Sequence, residues 1–390
     1  MKKILCPFCF NKISVKKGAC CPMSGCPSNK ERIVLPDEVF THKPFPIMVV
    51  GGKNSGKTVF LSALAYQLIN SKFWGNFWDA KMIHYKKNNF DETIGKLFTH
   101  PYELPASTQK EGHKLPLLFS VTFKELSFKK TPLGFPRVLP TKLLVNFTDP
   151  AGEHFRLSTD NTESAQEQYK ILKGHAKSAI AIMDPIEVNE NWNEILSGKR
   201  ITKIEEKGIV SASNALEMLT LMPKNTCRNL PLAICLTKLD EIVGSALKEQ
   251  EISGIDFFSL GEEHNTYRQE SGKISIPELE GVDKTIRRVL FKNRCNHIFN
   301  SIGIPIPQVK NEENPTEIWD FKTLTKATFR YHAFFGVSSL GRVSLNPSKD
   351  ENGNETKQAD KQPEPFRVLD PLLWILWQYG YIGATTKKTR

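Results

Sequence analysis

Short apolar runs alternate along most of this chain with segments in which apolar residues recur at helical spacing. The apolar runs have the length of buried strands and lie at residues 46–50, 117–123, 141–148, 179–183, 230–236 and 328–335. The helical pattern appears at residues 59–69, 210–222 and 282–299. Alternation of this kind predicts an α/β fold with a mostly parallel sheet, in which ligands bind at the carboxyl ends of the strands.

Two segments near the C-terminal end differ from this pattern. Residues 344–365 contain one large apolar residue in 22, which predicts a disordered loop. Residues 372–382 are strongly apolar and follow Asp370 and Pro371, a pair that favours the start of a helix. We therefore expect a final helix there, too short to cross a bilayer.

A glycine-rich segment follows the first long strand candidate. Residues 51–58 read Gly-Gly-Lys-Asn-Ser-Gly-Lys-Thr and fit the phosphate-binding pattern G-x-x-x-x-G-K-[ST] between a strand and a helix. Backbone N–H groups and the helix N-terminus would surround the phosphates, with Lys57 on the β- and γ-phosphates and Thr58 on Mg²⁺. The alternative is a strand-to-helix turn that binds nothing. The predicted binding residues are Gly51, Lys53, Asn54, Ser55, Gly56, Lys57 and Thr58.

A second motif bears on the nucleotide base. Residues 237–240 read Thr-Lys-Leu-Asp directly after a strand candidate, which fits [NT]-K-x-D and adds Thr237 to the predicted site. The Asp240 carboxylate can accept hydrogen bonds from guanine N1–H and the exocyclic amine, whereas adenine offers no matching pair of donors. Lys238 would lie along the base. The motif predicts selection of GTP over ATP.

A third motif lies between these two. Residues 149–152 read Asp-Pro-Ala-Gly after strand candidate 141–148 and fit D-x-x-G. Asp149 would hold Mg²⁺ through water, and the Gly152 amide would bond the γ-phosphate, so the following segment would order only with the triphosphate. The alternative is a plain Asp-Pro turn that ends a strand.

The order of these three motifs resembles the TRAFAC class of P-loop GTPases over about residues 44–383. More narrowly, the chain resembles the prokaryotic double-GTPase relatives found in bacterial conflict systems. Three features carry this resemblance: the sequence of residues 149–153, the N-terminal cysteines and segment 368–374. The resemblance implies a three-layer P-loop GTPase sandwich and signalling in a defence-type system. It also implies a guanine-contacting loop at Ser338 and Ser339.

Two departures from the class pattern concern hydrolysis and length. Glu153 and His154 stand where many GTPases place a water-orienting Gln. A carboxylate beside the γ-phosphate is repelled, so we expect slow or partner-dependent hydrolysis, with His154 as the alternative water-positioning residue. The residues predicted to act in hydrolysis are Lys57, Thr108, Gly152, Glu153 and His154.

More residues separate the phosphate loop from Asp149 than a minimal GTPase core needs, which predicts an insertion at about residues 73–115. A second insertion is expected at about residues 241–278. Thr108 is the candidate for the switch threonine that completes Mg²⁺ coordination, with Ser107 and Thr99 left open. The aromatic group at 73–78 is interpreted as local core or a hinge.

The N-terminal cysteines form a metal-binding pattern. Cys6, Cys9, Cys21 and Cys26 have the C-x2-C and C-x4-C spacing of a zinc ribbon, which we assign to residues 1–36, and Cys20 is the alternative to Cys21. The first five residues are too short for a secretory signal, which favours a cytoplasmic location. Thiols stay reduced there, so zinc is favoured over disulfides.

The charge balance bears on partners. The chain has a net charge of +11, and its first 45 residues carry eight Lys or Arg against three acids. Protein docking is the favoured role of the ribbon and nucleic-acid contact the less favoured one. Residues 384–390 form a basic tail. The sequence predicts a cytoplasmic GTP/GDP-binding switch with Mg²⁺, Zn²⁺ and a protein partner; the alternatives are an ATP-using P-loop enzyme and a non-hydrolysing zinc-ribbon adaptor.

Overall fold

The protein is described from a computed structural model. The described residues are 3–51, 55–70, 77–85, 89–104, 115–130, 136–148, 174–183, 228–237, 274–275, 329–341, 343–349 and 355–385. The helices predicted at 210–222 and 282–299 lie outside these ranges.

The described elements begin with a small N-terminal unit and continue into alternating strands and helices. The N-terminal elements are β1 (Ile4–Leu5), β2 (Lys12–Ile13), α1 (Pro27–Lys30) and α2 (Glu38–Thr41). The next elements are β3 (Lys43–Gly51), α3 (Lys57–Asn70), β4 (Trp78–Met82), α4 (Asn89–Phe98), β5 (Leu117–Phe123), β6 (Phe128–Lys130), β7 (Pro136–Val138) and β8 (Lys142–Thr148). The last are β9 (Ser178–Met183), β10 (Leu232–Leu236), β11 (Ile274–Ser275), β12 (His332–Gly336), β13 (Leu345–Lys349), β14 (Glu355–Ala359), α5 (Asp370–Gln378) and β15 (Ala384–Thr385).

Seven strands form one sheet in the order β12-β10-β9-β3-β8-β5-β4. The five strands from β12 to β8 are parallel, whereas β5 is antiparallel to both β8 and β4. The predicted mixed α/β fold with a mostly parallel sheet is confirmed. The six strand candidates of the sequence correspond to β3, β5, β8, β9, β10 and β12.

The chain order of the strands defines where a ligand can bind. After β3 the chain builds β4, β5 and β8 on one side of β3, and it then builds β9, β10 and β12 on the other side. Gly51 pairs with Ile182, and Leu236 pairs with both Met183 and Gly336, so these strands end at one edge of the sheet. Ligands of open α/β sheets bind at such a switch point, outside the carboxyl ends of the strands.

The main core lies against the central strands. Strand β3 is buried over its last seven residues, as expected for a parallel strand covered on both faces. Helix α3 packs against the sheet with Phe60, Leu61, Leu64 and Leu68, and helix α5 is buried over its first seven residues. Each fully buried Leu or Phe contributes about 1.5–3 kcal/mol to folding. None of the helices in the described ranges has both the length and the apolar character needed to cross a membrane.

Helix α5 begins where the sequence predicted, and it begins with a buried acid. Asp370 is 2% exposed. Burial raises the pKa of its carboxyl well above the usual range. Burial, and then the nearby Asp370, also raises the pKa of Cys235 on β10. The contact between α5 and β10 therefore favours the uncharged form of both groups.

The prediction of a disordered loop at 344–365 is wrong for the described residues of this range, 344–349 and 355–365. Strands β13 and β14 pair antiparallel, from Leu345 with Ala359 to Lys349 with Glu355. A second segment adds to this pair, because Leu104 N–H donates to the Lys357 carbonyl at 2.8 Å and Ala359 N–H donates to the Tyr102 carbonyl at 3.1 Å. Backbone hydrogen bonds order a sequence whose composition provides almost no apolar side chains to bury.

Strand β4, from the region of the predicted insertion, is an edge strand of the sheet, and the N-terminal unit packs on the sheet. Trp78, from the aromatic group interpreted as local core, is 2% exposed and lies edge-on to Phe123 at 5.9 Å, which agrees with that interpretation. A second apolar cluster joins the N-terminal unit to β5 and β8 on the face that Leu118 and Leu144 occupy. Its other members are Ile4, Cys6, Phe8, Cys9, Ile13, Cys21, Cys26, Ile33, Leu35, Val39 and Ile83.

Candidate nucleotide and metal sites

Glycines shape the loop between β3 and α3. A side chain at Gly51 would bring its Cβ within 2.8 Å of both the Ile182 carbonyl oxygen and Ser55 Oγ, so only glycine fits. Gly56 has a φ of +83°, in the left-handed region that favours glycine. The glycines of the motif therefore match the backbone. Lys53 and Asn54 lie outside the described residues.

Lys57 and Thr58 stand in the first turn of α3, at a helix N-terminus, whose dipole attracts anions. The Lys57 ammonium donates a hydrogen bond to the Gly51 carbonyl at 2.9 Å. This hydrogen bond joins the last part of the loop to its first residue, and it holds the positive charge of Lys57 beside the loop. The Lys57 ammonium and the N-terminus of α3 therefore lie together at the C-terminal end of the loop.

Thr237 connects the base motif to this loop. It follows β10 directly, is 2% exposed, and its hydroxyl donates to the Ser55 carbonyl at 3.2 Å. The two motifs are 182 residues apart in sequence and meet at one edge of the sheet. Lys238 and Asp240 lie outside the described residues.

Ser338 and Ser339 follow β12 at the same edge and are both buried. The Ser338 backbone exchanges hydrogen bonds with Phe366, and its hydroxyl accepts the Gly341 N–H at 2.8 Å. Gly341 has a φ of +73°, and a Cβ there would lie 2.4 Å from the Glu364 carbonyl oxygen. Ser338 therefore fixes the shape of this turn, a role that its position in the sequence did not predict.

The roles predicted for residues at Mg²⁺ and the γ-phosphate stay predictions. Thr108, Asp149, Gly152, Glu153 and His154 lie outside the described residues, as do Ser107 and the segment after Thr148. Thr99 is described and directly follows α4. Thr148 ends β8 and pairs with Met48 of β3, so the chain enters the Asp149 motif beside the strand that carries the phosphate loop.

Four cysteines meet in the N-terminal unit. The sulfur atoms of Cys6, Cys9, Cys21 and Cys26 all lie within 4.8 Å of one another, and the Cys6–Cys26 and Cys9–Cys21 sulfurs are each 3.7 Å apart. Four thiolates at the usual Zn–S distance on a tetrahedron would have their sulfurs about 3.8 Å apart. All four side chains are buried and none is in a disulfide. The donor set fits zinc, and Cys20 is outside it.

Local hydrogen bonds place these cysteines. The Cys6 turn is closed by Phe10 N–H donating to the Cys6 carbonyl at 2.9 Å. Around Cys21, the Ser28 hydroxyl accepts the Cys21 N–H at 3.1 Å and Asn29 donates to the Cys21 carbonyl at 2.8 Å. Hydrogen bonds within the cluster, first that with Cys26, lower the pKa of Cys9 to about 2. The same cluster raises the pKa of Cys6, first through its hydrogen bond with Cys21, and a divalent cation would hold both side chains as thiolates.

The four-cysteine cluster leads to a prediction about the zinc content of the protein. The purified protein should hold one zinc ion; Cys21→Ser should lose it because one of four ligands is removed, and Cys20→Ser should retain it. Elemental analysis of the two variants makes the comparison, and each is the other's control because both replace a neighbouring thiol. Zinc retained by Cys21→Ser and lost by Cys20→Ser would reassign the fourth ligand.

The fold and these sites define a mixed α/β protein with a glycine-rich loop at the switch point of its sheet and a four-cysteine cluster on one face. The chain matches no protein-family model and no curated protein. Among solved structures it is similar to the GTPase-like domain of S. cerevisiae Ski7 bound to GTP, with 14% identity and a TM-score of 0.28. The match covers 77% of this chain and 44% of that one, so the chain spans less than half of its length. A likeness at this level says nothing of what this chain binds.

Proposed function

We propose that the chain is a GTP-binding switch protein that hydrolyses GTP slowly and signals through a protein partner. The observation that carries the proposal is the hydrogen bond between Thr237 and the Ser55 carbonyl, which joins the base motif to the phosphate loop. Both motifs lie at the switch point of the sheet, where one nucleotide can reach them together. The order of the motifs in the sequence supports the same conclusion.

The phosphate side of the site rests on the loop after β3. Lys57 would bind the β- and γ-phosphates from the position in which it contacts Gly51. Thr58, Asp149 and Thr108 would supply oxygen ligands, the kind that Mg²⁺ prefers. Bound Mg²⁺ neutralises charge that develops on the phosphates. Gly152 would bond the γ-phosphate, which makes the site sensitive to hydrolysis from GTP to GDP.

The base side of the site would select guanine. Asp240 lies three residues after Thr237, whose bond to Ser55 fixes the start of this segment. Lys238 would lie along the base, and the buried turn that contains Ser338 and Ser339 would contact it from the neighbouring strand. Guanine offers two donors to the Asp240 carboxylate and adenine does not, which favours GTP over ATP.

Hydrolysis would be slow in the isolated protein. Glu153 would provide a negative charge beside the γ-phosphate where a neutral amide would orient water, and His154 is the alternative water-positioning residue. A protein partner would therefore set the rate. The family resemblance implies that this partner belongs to a bacterial defence-type system in the cytoplasm.

Base selection is the test of this proposal. Asp240→Asn should lower GTP affinity about 30-fold, because a charge-assisted bond of about 2 kcal/mol is lost, and should raise the relative affinity for XTP. Competition of GTP, XTP and ATP for a fluorescent guanine nucleotide measures these preferences. Asp360→Asn, at an exposed position after β14, is the matched control and should behave as the parent protein. An unchanged preference for GTP over XTP in Asp240→Asn, or equal binding of ATP and GTP by the parent, would contradict the proposal.

A further inference from the structure

Asn146 connects the four-cysteine cluster to the end of strand β8. Its side-chain amide donates to the Pro7 carbonyl at 2.6 Å, and its side-chain oxygen accepts the Thr148 hydroxyl at 2.9 Å. The residue is 2% exposed and is 139 residues away from Pro7 in sequence. Both polar groups of one buried side chain are thus used in a relay from the N-terminal unit to the carboxyl end of a sheet strand.

Packing alone does not account for an asparagine at this position. Asn146 pairs with Leu118 of β5, and Leu144, two residues earlier on the same face of β8, belongs with Leu118 to the apolar cluster under the N-terminal unit. Another leucine would suit this surface, because asparagine is unfavourable in strands. A buried amide without partners would also cost about 1–3 kcal/mol. The two hydrogen bonds are therefore what Asn146 contributes.

The other end of the relay is the turn that carries two of the metal ligands. Pro7 lies between Cys6 and Cys9, so the position of its carbonyl depends on how these thiols are held. The same turn also reaches the segment before β5 through Tyr85: the Phe8 ring meets the Tyr85 ring edge-on at 5.2 Å, and the Tyr85 hydroxyl donates to the Pro116 carbonyl just before β5. The Cys6–Cys9 turn therefore contacts β8 directly and the start of β5 through Tyr85.

The relay ends beside the nucleotide site. Thr148 pairs with Met48 of β3, three residues before Gly51, and the next residue in the sequence is Asp149, the proposed Mg²⁺ ligand. A shift at the end of β8 would move the point from which the chain continues to this residue. Coordination of Mg²⁺ demands near-ideal geometry and tolerates little displacement of its ligands.

We propose that Asn146 is a positioning residue that couples metal binding at the cysteine cluster to the binding of Mg²⁺–GTP. With zinc bound, the Cys6–Cys9 turn holds Asn146, Thr148 and the end of β8 in the arrangement that accepts Mg²⁺–GTP. Without zinc this arrangement is lost and Mg²⁺–GTP binds more weakly. The inference rests on the proposed function, since it concerns the same nucleotide site.

Coupling of this kind is reciprocal. If zinc raises the affinity for Mg²⁺–GTP by a given factor, Mg²⁺–GTP must raise the affinity for zinc by the same factor. Coupling between two sites commonly amounts to about 5- to 150-fold, and for a relay of two hydrogen bonds we expect about tenfold. Zinc affinity can therefore report the relay without any measurement of turnover.

The experiment measures zinc affinity of the full chain by equilibrium competition with a chromophoric chelator selective for zinc over magnesium. The parent protein should bind zinc about tenfold more tightly with Mg²⁺–GTP than without nucleotide. Thr148→Val and Asn146→Leu keep the size of each side chain and interrupt the relay, so both should lose this difference. The double variant should lose no more than either single variant, because the three groups act as one unit.

Thr148→Val decides between positioning and packing, because Thr148 contacts Asn146 and is itself only partly buried at the end of β8. If Thr148→Val retains the full tenfold effect, Asn146 only supports packing and the inference is overturned. The same variant decides the matter if Asn146→Leu fails to fold. GTP binding is measured separately by calorimetry: a parent protein that binds GTP without any change in zinc affinity overturns this inference alone, whereas one that binds no GTP overturns the proposed function as well.

Discussion

Replacing Lys57 by alanine is expected to lower the affinity for GTP about 100-fold or more, as the loss of charge-assisted hydrogen bonds worth a few kcal/mol implies. The ammonium already contacts the Gly51 carbonyl at 2.9 Å, so its charge lies beside the loop before any ligand arrives. Little ordering of this side chain is then needed on binding, and its contribution should be close to its full value. Isothermal titration calorimetry with Mg²⁺ present measures the change.

The matched control for this variant is Lys43→Ala. Lys43 begins β3 and is exposed, at the opposite end of the strand from the glycine-rich loop, so the two variants change the net charge equally. Lys43→Ala should bind GTP as the parent does. If Lys57→Ala and the parent had equal affinities, the loop after β3 would not be a phosphate site.

Replacing Asp370 by asparagine is expected to remove much of the pH dependence of stability between about pH 4 and neutral pH. Burial raises the pKa of Asp370 in the folded chain, so the folded state keeps this proton at pH values at which the unfolded chain has released it. The free energy of unfolding therefore falls as the pH rises from about 3.9, the ordinary aspartate value, towards the raised value, at up to about 1.4 kcal/mol per pH unit. Asparagine stays neutral, so the variant should be more stable than the parent at pH 7 and similar to it near pH 4.

Denaturant unfolding at several pH values between 4 and 7 provides the measurement. Asp37→Asn is the control, since the Asp37 side chain is 69% exposed and pairs with Lys17 at the surface. That variant should keep the slope of the parent protein. A slope in Asp370→Asn as steep as that of the parent would show that other groups cause the pH dependence.

The central sheet could be predicted from the sequence because of how its strands are buried. Parallel strands covered on both faces are continuous apolar runs, and β9 was predicted at 179–183, within one residue of its bounds Ser178–Met183. The glycine-rich loop could be predicted because its backbone requires glycine at two positions, and helix α5 because Asp370 and Pro371 mark its start.

Features that depend on contacts between distant segments could not be predicted. Strands β13 and β14 are held by backbone pairing with each other and with residues near Leu104, and composition does not record such pairing. Asn146 looked like an ordinary polar residue in a strand candidate, since only the fold reveals that Pro7 lies above it. The spacing of the cysteines predicted a metal site but gave no sign that the surrounding unit would cover a face of the sheet.

The N-terminal unit covers Leu118 and Leu144, which are made after it when the chain is synthesised. A ribosome that adds about 5–20 residues per second completes Cys26 roughly ten seconds before Thr148. A small unit of this kind folds as its metal binds, so it can be folded before the strands it covers exist. Zinc that binds while the chain is being made would give β5 and β8 a finished surface as they emerge, and without it their apolar side chains would be exposed to other nascent chains.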